Sequence, residues 1–231
     1  MMPDCEPYRI EPTPEFVHIE FDPAHRVLSS AVLNGGWVQA DHIVNLKAEK
    51  NRGGKKSFEP SEITLSRLCR KMGWQGVTVG MMTAATMDSF EQVRRVEQNV
   101  QVTALATVGL SNAKRAGEPA EWRHMGNSAG SQGTINTIIL TNAWLTDAAM
   151  VEAVVTVTEA KSAALQDLKV RSRTTGSQST GTGTDSVAIV SGYGPTRIHH
   201  CGKHVLFGEM VATVVMQAIT NAVKKARYQG R

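Results

Sequence analysis

The sequence predicts a single domain of the α/β or α+β class. Short β-branched runs are mixed along the chain with two long helical patterns, there is no internal repeat, and no linker is long enough to separate domains. The chain has 231 residues, a length at which about 70% of the unfolded surface is buried on folding. Apolar residues make up 41% and charged residues 20%, and the formal net charge is only +4, which excludes a disordered chain. No run approaches about 18 consecutive apolar residues, so no membrane span is expected. The first residues carry acids and prolines where a signal peptide needs a basic patch and an apolar run. Three scattered cysteines, Cys5, Cys69 and Cys201, suit a reducing compartment. A cytoplasmic protein is expected.

Taken in order, residues 1–15 hold four prolines and read as an irregular arm, leaving 16–231 as the folded domain. Phe16 to Phe21 and Arg26 to Leu33, separated by Asp22-Pro23, suggest a β-hairpin that Asn34-Gly35-Gly36 ends. His42 to Lys47 is a further strand, followed by a polar loop from Glu49 to Ser57. Ser61 caps a helix carrying Ile63, Leu65, Leu68, Cys69 and Met72, and Gly73 stops it. Val77 to Thr83 and Val100 to Val108 are β-branched strands. Gly117 to Gln132 is a loop, and Thr134 to Thr141 a buried strand. Thr146-Asp147 caps a helix running to about Leu168, roughly 34 Å long. Val151, Val154, Val155, Thr158 and Leu165 are expected on its apolar face. Arg171 to Thr184 is a polar loop, Asp185 to Ser191 a strand, and an amphipathic helix starts near His204. Its stripe is Phe207, Met210, Val211, Val214, Val215, Ala218 and Ala222, with Lys224, Lys225 and Arg227 at the negative end of its dipole.

Several residue patterns suggest chemistry. Gly126-Asn127-Ser128-Ala129-Gly130 matches the nucleophile-elbow spacing, but a loop precedes it and a strand follows, the reverse of what that elbow needs. His199, His200, Cys201 and His204 cluster like metal ligands, yet no second Cys/His pair exists elsewhere, and a histidine bonded to backbone at a helix start explains them better. Thr180 to Asp185 supplies hydroxyls and backbone amides entering a strand but lacks the lysine and helix of a P-loop. Glu159 lies near the expected apolar face and is either a surface acid or a half-buried anchor, while Lys161 faces elsewhere. Of 21 threonines, 11 fall between Thr134 and Thr184, a bias suited to binding uncharged polar groups such as amides.

The order of these motifs resembles the adenosylcobinamide amidohydrolase family. The likeness runs through Gly35-Gly36, Asn45, Met82-Thr83-Ala84-Ala85, Gly109 to Asn112, Gly133-Thr134-Ile135-Asn136, Leu140 to Ala143, Thr158 to Lys161, Thr180 to Asp185, and His204 with Gly208-Glu209. It covers about residues 29 to 212. Trp144 departs from an expected proline, and His199-His200-Cys201 from a usual Tyr-Ala-Gly. The resemblance implies a layered sandwich of mixed β-sheets with long flanking helices. It implies hydrolysis of the amide joining aminopropanol to the corrin ring, with the corrinoid as substrate and no metal or organic cofactor.

A fainter likeness, to β-aminopeptidases and ornithine acetyltransferases, implies that Thr134 is a nucleophile freed by self-cleavage and Asn112 an oxyanion donor. Asp185 or Glu159 would orient the site. Gly35, Gly36, Asn45, Met82, Thr83, Asn136, Thr182, Thr184, His204 and Glu209 would contact substrate. Two readings of Thr134 stay open, nucleophile or plain strand residue. In the second, water attacks directly, with Glu159, Asp185 or His204 as base. A non-catalytic corrinoid binder and a peptidase or acyl-transfer enzyme of the same fold are the competing functions. The basic residues are spread over Lys47 to Lys56, Lys169 to Arg173 and Lys224 to Arg231 without interleaved aromatics, so no nucleic-acid partner is expected. Self-association as a homo-oligomer is expected on general grounds.

Overall fold

The computed structural model describes residues 7–48, 59–120 and 134–228. Its strands are β1 (Tyr8–Pro12), β2 (Phe16–Ser29), β3 (Gly36–Lys47), β4 (Thr78–Thr83), β5 (Glu91–Glu97), β6 (Val100–Val108), β7 (Ala113–Lys114), β8 (Ile135–Thr141), β9 (Trp144–Leu145), β10 (Gly181–Thr182), β11 (Ser186–Ser191) and β12 (Arg197–Ile198). Three helices, α1 (Ser61–Met72), α2 (Asp147–Asp167) and α3 (Leu206–Tyr228), complete the α+β fold. One mixed sheet of eight strands runs β4-β3-β2-β11-β8-β6-β5, with β1 paired to β2. β10 pairs with β7, and β12 with β9.

The expected hairpin is instead the single strand β2. Both of its halves pair with β3, and the register shifts between Glu20 and His25. Asp22-Pro23 therefore sits in a bulge rather than a turn, because a bulge absorbs extra residues while pairing continues on either side. β1 lies along the first half of β2 and β11 along the second. The segment read as an irregular arm thus contains a strand. The charged β5 carries no strand signal in the sequence, because its pattern EQVRRVE buries no residue fully, although it pairs along its whole length with β6.

The sheet curls so that non-neighbouring strands face one another. One core cluster, including Ile19, Ile43, Val79, Leu105, Ile138 and Val190, lies between the β2–β4 part and the β6, β8 and β11 part. The opposite faces of β6 and β8 pack on α2 and α3 through Val102, Ala104, Ile139, Met150, Val211 and Val215. α1 covers the outside of β3 through Leu65 against Val44 and Phe16. Burying each such aliphatic side chain contributes about 1.5–3 kcal/mol. Among the described residues only α3 is long and apolar enough to cross a membrane, and more than half of it is buried within the structure.

Helix ends follow local chemistry. The Thr146 hydroxyl accepts from the Ala149 amide at 3.1 Å and caps α2. Gly73 ends α1 with φ 72°, in the left-handed region that glycine tolerates best. Pro60, not Ser61, occupies the N-cap of α1, and Ser61 is its first helical residue.

The buried face of α2 differs from expectation. Val151 and Val155 are 52% and 54% exposed. Ala149, Ala153, Ala160 and Ala164 face the core with Met150, Val157 and Leu165. Leu165 is buried as expected and Val154 packs on the edge of the core, but small residues let α2 approach the sheet and α3 closely, and that close packing turns Val151 and Val155 outward.

Candidate active site

Thr134 stands immediately before β8, 3% exposed. The peptide that follows it is gripped on both edges. Its carbonyl accepts from the Gly109 amide at 2.9 Å, and the Ile135 amide donates to Asp185 Oδ1 at 3.0 Å. The Thr134 hydroxyl donates to the Thr184 carbonyl at 2.5 Å and lies 3.3 Å from Asn136 Oδ1. One hydroxyl proton serves mainly the nearer acceptor, so the side chain points to the Gly/Thr loop.

Asp185 is the hub of that loop. It accepts from the Thr182 amide at 3.1 Å, from the Thr182 hydroxyl, and from the Lys161 ammonium. The Lys161 and Asp185 side chains are only 13% and 15% exposed. Within the Thr180–Asp185 loop the amides of Gly181 and Thr184 donate to the hydroxyls of Ser179 and Thr182, and that of Thr182 to Asp185.

A second network runs through the middle of the curled sheet. Asn136 Nδ2 donates to Asn45 Oδ1 at 2.7 Å and to the Met82 carbonyl at 3.0 Å. Asn45 Nδ2 donates to the Thr107 hydroxyl at 2.8 Å. Four strands, β8, β3, β4 and β6, are thereby joined by buried side-chain amides, with both N–H groups of Asn136 used. Leaving any of them unpaired would cost about 1–3 kcal/mol. Thr83, also buried, accepts from the Ala85 amide at 3.0 Å.

Most of the expected residues converge here. Thr134, Asn136, Asn45, Met82, Asp185, Thr182 and Thr184 are linked by the bonds above. Asn112 lies in the turn between β6 and β7, one residue before Ala113, which pairs with Thr182. Gly35 lies in the loop leaving β2 and Gly36 opens β3 opposite Ser29; the Ser30 hydroxyl of that loop meets that of Ser186 at 3.1 Å, one residue after Asp185. Three residues do not join. Glu159 is a surface acid paired with Lys203, because the true register of α2 points it away from the core. Glu209 pairs with Arg95 near the β5–β6 turn, at the end of β6 away from Thr107. His204 follows a segment tied to the middle of α2, where Glu152 and Thr156 hold the Cys201 backbone. Ser128 and Gly133 lie outside the described residues.

Lys161 and Thr107 were not singled out from the sequence as site residues. The signal for Lys161 was its spacing four residues after Val157, on the buried face, which is legible only once that face is assigned to alanines.

A family model for adenosylcobinamide amidohydrolase matches residues 4–230. The chain belongs to the adenosylcobinamide amidohydrolase family. An adenosylcobinamide amidohydrolase from Methanosarcina mazei is 28% identical over 201 residues, 82% of this chain and 86% of the relative. An uncharacterized protein from Methanocaldococcus jannaschii is 34% identical over 175 residues, 69% of this chain and 68% of the relative. Among solved structures, a Pyrococcus horikoshii OT3 protein aligns over 91% of this chain and 77% of its own at 14% identity, with a TM-score of 0.43.

In this member of the adenosylcobinamide amidohydrolase family, no three His, Cys, Asp or Glu side chains among the described residues, those of the His199–His204 segment included, are grouped closely enough to hold an ion together. Burial and the Glu152 carboxylate push the Cys201 thiol up to about 12, so it stays protonated and unreactive. Glu152 itself is held below the usual carboxylate range, first by the Cys201 amide bond.

A buried histidine pair sits elsewhere in the family member, on β2 and β3. His42 Nε2 lies 2.9 Å from the Gln75 carbonyl, which can only accept, so that nitrogen carries the proton. His42 Nδ1 then accepts from His18 Nε2 at 3.2 Å, and the His18 ring stacks on Trp74. Burial, then His42 and Arg9, lower the His18 pKa from 6.5 to about 4. The folded state thus binds the proton more weakly than the unfolded chain. Stability from this group is full above pH 6.5 and falls as pH drops from 6.5 towards 4, at up to about 1.4 kcal/mol per pH unit. Denaturation midpoints measured across that range should show the fall, and His18→Phe, which keeps the stacking, should flatten it to what His25, also lowered by burial, contributes.

Proposed function

We propose that this protein hydrolyses the amide joining aminopropanol to the corrin ring of adenosylcobinamide, giving adenosylcobyric acid and 1-amino-2-propanol for cobalamin salvage. The observation that carries the reading is the Thr134 hydroxyl, held at the start of β8 between Thr184 and Asn136 in a setting of amides and hydroxyls. Such a lining suits a substrate whose periphery is rich in neutral amides.

In this reading Thr134 Oγ attacks the amide carbonyl, the carbon–nitrogen bond breaks, and the amine leaves with a proton. Water then hydrolyses the resulting ester. A backbone carbonyl such as that of Thr184 orients the hydroxyl but takes no proton. The base is the α-amine of Thr134 itself, freed by cleavage of the bond before it, and Asn112 donates to the developing oxyanion, an interaction often worth several kcal/mol. The corrinoid is the substrate, and no other cofactor takes part.

The test is incubation with adenosylcobinamide followed by separation of corrinoids and assay of free aminopropanol, with mass spectrometry of the protein. Release of aminopropanol and a chain split before Thr134 are expected. Tight binding without release would leave a corrinoid-binding protein. Release by an intact chain would point to direct attack by water.

A further inference from the structure

We propose that Lys161 is a positioning residue of the Thr134 site: its ammonium holds the Asp185 carboxylate in the one orientation that fixes both the Ile135 amide and the Thr182 turn. This rests on the reading of Thr134 as the reacting group.

Four observations converge. First, Lys161 is a lysine well inside α2, 13% exposed, on the face formed by Ala160 and Ala164. Lysine is seldom buried without a partner, and among the described residues its ion pair is with Asp185. Second, Asp185 receives four donors: the Ile135 amide, the Thr182 amide, the Thr182 hydroxyl and Lys161. A carboxylate offers about four lone-pair sites, so it is saturated and has little freedom to rotate. Third, the Ile135 amide shares its peptide unit with the Thr134 carbonyl, which Gly109 holds from the other side. Movement of Asp185 would release that peptide and swing the Thr134 side chain.

Fourth, the backbone closes over the pair. A Cβ at Gly181 would stand 2.3 Å from Asp185 Oδ2 and 3.0 Å from Lys161 Nζ. Only glycine fits there with the ion pair in place. The charge on Lys161 therefore does two things: it neutralises a carboxylate shielded from water, and it anchors Oδ2 on the α2 side while Oδ1 takes the Ile135 amide of β8.

The test uses the full-length protein and three measurements: kcat and KM with adenosylcobinamide, amide hydrogen exchange at Ile135 and Thr182, and the urea denaturation midpoint. Lys161→Met should lower kcat about a hundredfold, the effect of a displacement of about an ångström at a reacting group, with KM within about twofold. Exchange at Ile135 and Thr182 should quicken while exchange in β6 stays slow. Lys161→Arg, which restores the charge, should recover at least about a tenth of wild-type kcat. A general loss of stability would raise exchange everywhere and would not separate kcat from KM.

Wild-type kcat in Lys161→Met, or unchanged exchange at Ile135, overturns the proposal. If Lys161→Met does not fold, Gly181→Ala, which keeps both charges and forces them apart, is read the same way, and full activity with unchanged exchange overturns it. If the wild-type protein releases no aminopropanol, the proposed function fails instead. Exchange at Ile135 and Thr182 then decides the role of Lys161 alone, faster exchange sustaining it and unchanged exchange overturning it.

Discussion

Thr134→Ala is expected to lower kcat for aminopropanol release by about a thousandfold or more, the scale seen when an enzyme loses its nucleophile. The fold should survive. The substitution removes one hydroxyl that donates to the Thr184 carbonyl, a change of about 1 kcal/mol in stability, and alanine keeps the peptide that Asp185 and Gly109 grip. Thr134→Ser should retain measurable activity, since it preserves the hydroxyl. The two variants also separate chemistry from processing: if the chain splits before Thr134, the alanine variant should remain a single chain by mass spectrometry. Full activity in Thr134→Ala would remove the residue from the mechanism.

The largest effect on stability is expected from Asp185→Ala. That change strands the Lys161 ammonium in a site 13% exposed and removes the acceptor of the Ile135 and Thr182 amides. Breaking a buried ion pair from one side costs about 3–5 kcal/mol. For a chain of this length that is a fall of about 10 °C in Tm. Glu159→Ala is the control. Its partner Lys203 is 67% exposed, and losing a surface pair of that kind should change stability by less than about 1 kcal/mol. Equal destabilisation by the two variants would contradict the account of Asp185 as the buried hub.

These two acids show what could be read from residues in order and what could not. Both lie in motifs, Thr158 to Lys161 and Thr180 to Asp185, and both were candidates for orienting the site. Assigning the face of α2 from its valines put Glu159 at the edge of the core. Val151 and Val155 are exposed because the alanines on the other face let the helix sit close to its neighbours, and a hydropathy pattern does not register that space. Once the alanines define the buried face, Lys161 points inward and Glu159 outward. The Asp22-Pro23 pair misled in a similar way: a strong local turn signal was absorbed as a bulge because β3 pairs with residues on both sides of it.

Resemblance to the family pointed to Asn45, Thr134, Asn136 and Asp185, whereas local chemistry alone determined the β-branched strand Val100–Val108, the capped helix from Asp147 and the glycine stop after Met72. Each depends on neighbours a few residues away, so a linear reading reaches it. Tertiary structure decided which of those residues meet. The Asn136–Asn45 bond spans 91 positions, Asn45–Thr107 spans 62, and Ile135–Asp185 spans 50. Such partners depend on the order and curl of the strands, which follow from burying the whole apolar surface at once, and no short stretch of sequence contains that condition.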